Sequence, residues 1–175
     1  MSFSALWTTL VFLLRTPPYH YGTMAAGVFG LLGASSASAA PIVGKMSDRH
    51  GPERSILIAI IATLVGYVVL LALGRTLPGL IAGIALIDVG VQSGHVANQS
   101  RIYALAPEAR SRINTFYMVA FFVGGALGSY FGPLGFNLGG WTGFCAIPLA
   151  ALTFALVYFL QAERHRRSAR LTATI

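Results

Sequence analysis

The feature that most constrains this chain is a short charged turn, residues 44–54, between two long segments without an ionised side chain. The turn has the sequence GKMSDRHGPER, and the flanking segments are residues 21–43 and 55–74. Each flank reaches the roughly 20 apolar residues that a helix needs to cross a bilayer. Because a charged, glycine-bounded turn can reverse the chain at a membrane surface, the pattern predicts a transmembrane helical hairpin.

Composition and hydropathy along the whole chain predict an all-α, polytopic membrane protein with six transmembrane helices. Hydrophobic residues make up 55% of the sequence and charged residues 10%, whereas soluble domains carry roughly 25% charged residues. The start of the chain lacks a basic region and a small-residue cleavage site, so we expect no signal peptide. We expect the spans at about residues 2–16, 21–43, 55–74, 79–96, 113–134 and 141–160. The first span is short, which predicts that it is the second part of a longer helix.

The distribution of basic residues predicts the orientation of these spans. Ten of the twelve Lys and Arg residues fall on one predicted side of the membrane, namely Lys45, Arg49, Arg54, Arg101, Arg110, Arg112, Arg164, Arg166, Arg167 and Arg170. Only Arg15 and Arg75 fall on the other side. Since positive residues accumulate in cytoplasmic loops, we expect a multi-pass protein of the cell inner (plasma) membrane with both termini in the cytoplasm.

Several other function classes are disfavoured by the sequence. The net charge of +7 could indicate a nucleic-acid partner, but the basic residues lie in connectors and in the tail rather than on one helical face. Cys145 is the only cysteine, so we expect neither a disulfide framework nor a metal cluster. No nucleophile and base pair, metal spacing or phosphate loop occurs, and we therefore expect no enzyme and no cofactor.

One predicted span carries polar residues on a single face. Asp88, Gln92, His95 and Gln99 are spaced four, three and four residues apart, which places them on one stripe of a helix. A carboxylate near the middle of a bilayer is costly unless it faces water or a partner. Two interpretations stay open: a functional group lining a water-filled path, or a neutral Asp88 hydrogen-bonded to a neighbouring helix.

Small residues at intervals of four predict close helix packing in the fifth span. Gly124, Gly128 and Gly132 repeat a GxxxG pattern, which lets helix backbones approach each other in membranes. Pro133 follows directly, and we expect it to end the span.

The charged turn also contains Gly44, Asp48, Arg49 and Gly51 at a characteristic spacing, followed by Arg54. This spacing resembles the signature loop of the major facilitator superfamily, which joins the second and third helices of each six-helix half. The likeness extends over almost the whole chain through the segments LWTTLVFLL, GVFGLLG, APIVGKMSDRHG, LIDVGVQSGHVANQSRIYALAPEARSRINTFYM and FVGGALGS. The turn departs from the family pattern where Pro52 and Glu53 replace two basic residues.

The resemblance implies a twelve-helix transporter of two halves that moves substrate by alternating access. This chain is similar to the C-terminal half of a bacterial efflux-like member, so the N-terminal half would be absent from it. With an acid and a histidine present and no nucleotide-binding motif, we expect a proton-coupled secondary transporter of a small molecule, and the resemblance alone implies that the direction is export. In that scheme Asp88 couples protons, Gln92 orients substrate, His95 passes protons, and Gln99 continues the same stripe.

The resemblance also implies which partners such a chain needs. Besides the bilayer, they are a small-molecule substrate, protons, and an opposing half supplied by the missing N-terminal region or by a homodimer mate. The alternative is a non-transporting membrane remnant or assembly partner.

Overall fold

The computed structural model describes residues 1–17, 19–21, 27–31, 51–105 and 107–172. The regular elements in these ranges are all helical: α1 (Ser2–Arg15), α2 (Pro52–Leu73), α3 (Leu77–Leu105), one 3-10 turn (Pro107–Ala109) and α4 (Arg110–Thr172). Residues 27–31 are also helical. The predicted all-α fold is therefore confirmed, while most of the predicted second span lies outside the described residues.

Three helices of the described part of the chain are long and apolar enough to cross a membrane. They are Pro52–Leu73, Leu77–Ala104 and Arg110–Arg166. Helix α1 is apolar but has 14 residues. The 57 residues of the last stretch would extend about 85 Å as one straight helix, against a hydrocarbon core of about 30 Å. It therefore has to reverse direction within the run.

A pair of glycines makes that reversal. Gly139 (φ −137°, ψ 17°) and Gly140 (φ 57°, ψ −140°) have non-helical backbones and divide α4 into a first arm, residues 110–138, and a second arm, residues 141–172. The two arms contact each other next to the turn, through Gly135 of the first arm and Gly143 of the second. A Cβ on either glycine would overlap the backbone of the other. The two arms thus form a close antiparallel hairpin.

The end of the fifth span differs from the sequence-based expectation. Pro133 lies inside the first arm, and the helix continues to the break at Gly139. A proline removes one backbone hydrogen bond, which membrane helices tolerate where local adjustments or neighbouring groups satisfy the freed carbonyl. The helix therefore ends where two glycines permit a turn rather than where a proline interrupts the ladder.

Helix α3 is also longer than predicted. The sequence predicts a span that ends near residue 96 and then a polar, partly helical connector over residues 98–112, whereas α3 runs without a break to Leu105. The polar side chains in this extension bond within the helix: Asn98 Nδ2 donates to the Gly94 carbonyl at 2.8 Å, and Ser100 Oγ donates to the Val96 carbonyl at 3.0 Å. Because they are satisfied internally, they do not interrupt the helix.

The beginning of α2 follows from its sequence. Gly51 precedes it with a φ of 84°, a left-handed conformation that favours glycine, and Pro52 occupies the first helical position with Glu53 in the first turn. Proline suits this position because the first N–H groups of a helix lack partners, and an acid there complements the helix dipole. Gly51 and the exposed Arg54 are the only signature-loop residues within the described ranges; Gly44, Asp48 and Arg49 lie outside them.

The helices meet around one apolar core, and glycines set their spacing. Helix α1 contributes Leu6, Leu10, Leu13 and Leu14; α2 contributes Tyr67 and Leu70; α3 contributes Ile84 and Ile87; the second arm contributes Phe144 and Cys145. A Cβ on Gly132 would lie 2.9 Å from the Ala5 carbonyl oxygen. This confirms that the GxxxG face of the first arm packs closely against another helix, here α1.

The outer surface of the bundle is apolar. Leu31, Phe116, Phe122, Leu138 and Phe154 each expose more than 60% of their surface. Such a surface suits lipid because hydrocarbon chains solvate these side chains well. The three-dimensional structure therefore agrees with the hydropathy of the sequence.

Candidate functional site

Asp88 is the most buried ionisable side chain of the predicted polar stripe. It lies on α3 with 1% of its surface exposed. The indole N–H of Trp7 on α1 donates to its Oδ1 at 3.2 Å. Its Oδ2 is also buried and finds no hydrogen-bond partner among the described residues. Since an unpaired ionised oxygen is costly inside a membrane, this geometry favours a protonated Oδ2 or a further donor at that atom.

The Trp7 contact bears on the two interpretations that the sequence left open. One was an Asp88 hydrogen-bonded to a neighbouring helix, and the structure contains such a bond. The bond occupies one of the two carboxyl oxygens, and the other is buried without a partner among the described residues.

His95 lies two turns further along α3 and has a different partner. Its Nδ1 is 2.9 Å from the hydroxyl oxygen of Tyr117 on the first arm. The His95 ring also stacks near Phe121, with ring centroids 4.8 Å apart. The tautomer of His95 decides whether its nitrogen donates or accepts. His95 is thus connected to α4, whereas Asp88 is connected to α1.

His95 faces a cleft of about 190 Å³ between α2, α3 and the first arm. The lining combines glycines, apolar and aromatic side chains and a few polar ones: Ser2, Ala59, Ile60, Thr63, Gly90, Val91, Gly94, His95, Asn98, Tyr117, Phe121 and Leu152. A mostly apolar wall with a few polar groups is typical of small-molecule sites, although this cleft is smaller than the about 300–1,000 Å³ of such pockets. Of the predicted stripe, only His95 lines this cleft.

The remaining residues of the stripe have no side-chain hydrogen bond within the described part of the chain. Gln92 and Gln99 are both half-buried, and neither side chain makes a hydrogen bond to another described residue. They share the helix face of Asp88 by spacing, but the structure joins them to neither the Trp7 contact nor the cleft. Their assignment to a substrate or proton path stays a prediction.

Sequence reasoning missed Trp7, Tyr117 and Phe121. Trp7 lies 81 positions from Asp88 in the chain, and no periodicity within one helix relates residues on different helices. The available signal was chemical: an indole needs an acceptor when it is buried, and Asp88 is the acid that lies inside a predicted span. No group of three or more His, Cys, Asp or Glu residues able to hold a metal occurs within the part of the chain that the structure describes.

Comparison with known proteins identifies the family. The family model described as Major Facilitator Superfamily matches residues 1–174. The chain is 36% identical over 170 residues to the "Uncharacterized transporter YgaY" of Escherichia coli O157:H7, which covers 96% of this chain and 42% of that protein. It is 36% identical over 148 residues to the "Probable transporter SCO4007" of Streptomyces coelicolor, covering 83% of this chain and 34% of that protein. No solved structure shows a significant match.

The matches cover enough of the chain to assign its family. The chain spans less than half the length of the curated relatives it matches. The family match nevertheless covers nearly every residue of the chain. The helical fold with its apolar surface is of the kind that a membrane transporter requires. The chain therefore belongs to the Major Facilitator Superfamily.

Proposed function

We propose that this chain forms the C-terminal six-helix half of a secondary transporter that exports a small molecule in exchange for protons. The observation that carries the proposal is Asp88, buried between α3 and α1 with Oδ1 bonded to Trp7 and Oδ2 without a described partner. Ionisable groups within membrane spans mark ion and substrate paths by default. A carboxyl with one free oxygen has the chemistry that such a path needs.

Coupling in this scheme is competition for one carboxyl group. When Asp88 is protonated it is neutral and tolerates the apolar core, and when it is ionised it needs a donor or a cationic group of the substrate at Oδ2. A proton and a substrate that stabilise the same group reduce each other's affinity by the same factor. Trp7 would hold the carboxyl in position during both states, and the aromatic cleft beside His95 would bind the apolar part of the substrate.

The partners and topology belong to the same proposal. One six-helix half offers one wall of a cavity, so transport requires an opposing half, either in the same polypeptide or in a second copy of this chain. In this scheme the protein lies in the inner membrane of the cell. From the distribution of positive residues we expect its tail and its signature loop to face the cytoplasm. The signature loop would then act as a latch between halves.

The test uses everted membrane vesicles that contain the full transporter. Respiration acidifies the vesicle lumen and quenches acridine orange, and a substrate exchanged for protons restores the fluorescence. We would screen a panel of cationic, zwitterionic and neutral small molecules and then compare wild type with Asp88→Asn. Asparagine keeps the shape and the acceptor for Trp7 but cannot release a proton.

The expected result is substrate-dependent dequenching in wild type and its loss in Asp88→Asn, with equal amounts of both proteins in the membrane. Ser100→Ala is a matched control because it changes an exposed polar residue of the same helix that lies outside the predicted stripe and bonds to the Val96 carbonyl. Dequenching by Asp88→Asn equal to that of wild type would remove Asp88 from the coupling step. Absence of dequenching for every compound in wild type, alongside normal insertion, would favour the non-transporting alternative.

A further inference from the structure

A second groove lies at the far end of α3, away from Asp88, and its lining is amphiphilic. It encloses about 400 Å³ between α3 and the second arm of α4, with one side chain from α2. Its charged members are Arg101, Glu163 and Arg166, and the rest of its wall is mostly apolar or aromatic. We propose that this groove binds one anionic phospholipid, with the phosphate at the two arginines and an acyl chain along the apolar wall.

The charges in the groove do not balance. Glu163 Oε1 lies 3.4 Å from Arg101 Nη2 and 3.8 Å from Arg166 Nη1, so one carboxylate serves two guanidinium groups. Each guanidinium carries five N–H donors. Among the described residues, the side-chain donors of Arg101 have Glu163 as their hydrogen-bond acceptor. Only 19% of the Arg101 side chain is exposed. A phosphate would supply the acceptors and the negative charge that this arrangement lacks, since guanidinium and phosphate match in geometry.

The apolar wall makes a lipid a better occupant than a soluble anion. Next to the arginines the groove is lined by Ile60, Ile102, Ala155, Tyr158 and Phe159. Tyr158 is 67% exposed, which places an aromatic ring with a hydroxyl at the edge of the groove, as at membrane interfaces. A free phosphate ion would leave this wall empty, whereas an acyl chain would cover it.

Charge also argues for an anionic headgroup rather than a zwitterionic one. Two arginines against one carboxylate leave the groove with a net positive charge. Basic residues near a membrane surface attract anionic lipids. A zwitterionic lipid would bring its own cation next to these arginines. The inference concerns the membrane-embedded protein alone and does not depend on transport or its direction.

The experiment measures lipid-specific stabilisation of the purified protein in detergent. Thermal unfolding is followed by a maleimide dye that reacts with Cys145, the single cysteine, which is fully buried in the fold. Three additions are compared at equal concentration: dioleoylphosphatidylglycerol, dioleoylphosphatidylcholine and inorganic phosphate. We expect phosphatidylglycerol to raise the melting temperature by about 2 °C or more above phosphatidylcholine, because a ligand that binds only the folded state stabilises it. Inorganic phosphate should have no comparable effect.

Variants separate lipid binding from the ion pair itself. Arg101→Gln combined with Arg166→Gln should abolish the difference between the two lipids. Glu163→Gln breaks the same ion pairs but leaves both arginines free, so it should keep or increase the difference. Arg164→Gln, a change of the same kind on an exposed neighbour outside the groove, should retain it. Ala155→Phe leaves every charge in place but fills the groove, and it should lose the difference.

Each contrary result overturns the proposal. Equal shifts with both lipids in wild type would mean that the groove does not select an anionic lipid. Loss of the difference between the two lipids in Glu163→Gln would mean that the ion pair stabilises the fold and that the two arginines do not bind lipid by themselves. A full shift with inorganic phosphate would identify a free-anion site instead. If the double arginine variant does not fold, Ala155→Phe still decides, because an unchanged lipid difference in that variant refutes occupancy of the groove.

Discussion

Substitution of Gly90 by alanine tests the packing of α2 against α3 most directly. A Cβ built on Gly90 would lie 2.8 Å from the Thr63 backbone nitrogen and 3.0 Å from the Ala59 carbonyl oxygen, and it would overlap the Thr63 hydroxyl. The hydroxyl could rotate away, but the two backbone atoms belong to α2 itself. The methyl group therefore requires the two helices to separate.

The magnitude follows from these distances. Ordinary contacts of a Cβ begin at 3.4 Å, so the helices would have to move apart by about 0.6 Å, a case of overpacking that typically costs about 1–3 kcal/mol. Replacing glycine by alanine inside a helix contributes about 0.8–1.0 kcal/mol in the opposite direction. The net expectation is destabilisation by up to about 2 kcal/mol, which corresponds to a melting temperature lower by up to roughly 8 °C for a chain of this size.

Gly94 provides the matched control one turn later on the same helix. A Cβ there would meet only the Ala59 side chain, at 3.4 Å, which is an ordinary contact. Gly94→Ala should therefore keep the helix-propensity gain without a steric penalty and melt at or slightly above the wild-type temperature. Both variants are measured through the reaction of Cys145 with a maleimide dye on heating.

Two results with these variants would refute the packing of α2 against α3 described above. A Gly90→Ala protein that melts at or above the temperature of Gly94→Ala, which has the same helix-propensity gain, would show that α2 and α3 do not approach as closely as described. An equal loss of stability in both variants would show that any side chain on this face is harmful, so that the individual distances explain nothing.

Two further predictions concern the polar contact and the topology. In a double-mutant cycle, Trp7→Phe and Asp88→Leu, which removes the acceptor, should couple by about 0.6 kcal/mol and by no more than about 1.7 kcal/mol, the average and the maximum measured for hydrogen bonds between membrane helices. Trp141→Phe loses an indole bond to a backbone carbonyl instead and should be additive with Asp88→Leu; equal coupling for both tryptophans would contradict the Trp7 contact. A cysteine replacing Lys45 in a Cys145→Ser background should resist an impermeant maleimide added outside intact cells, because the distribution of positive residues predicts that this loop is cytoplasmic. Rapid labelling from outside would reverse the predicted orientation.

The candidate site could be predicted in part, and its limits have a physical cause. The position of Asp88 within an apolar helix identified it as the residue to examine, since the cost of a charge in a membrane is a property of that segment alone. Its partner could not be identified in the same way, because lipid is as apolar as leucine and helix faces in a membrane are not distinguished by hydrophobicity. The contacts of Asp88 with Trp7 and of His95 with Tyr117 depend on which faces meet.

Some features of the helices are likewise determined by the local sequence, whereas others depend on tertiary packing. Apolar length, charged turns and glycine spacing are local properties, and by themselves they determined the all-α membrane fold and the close approach at Gly132. Tertiary structure decided that the helix passes Pro133 and reverses at Gly139 and Gly140. A proline weakens one hydrogen bond, but the end of a helix within a bundle is decided by where the next helix can pack, here at the contact of Gly135 with Gly143.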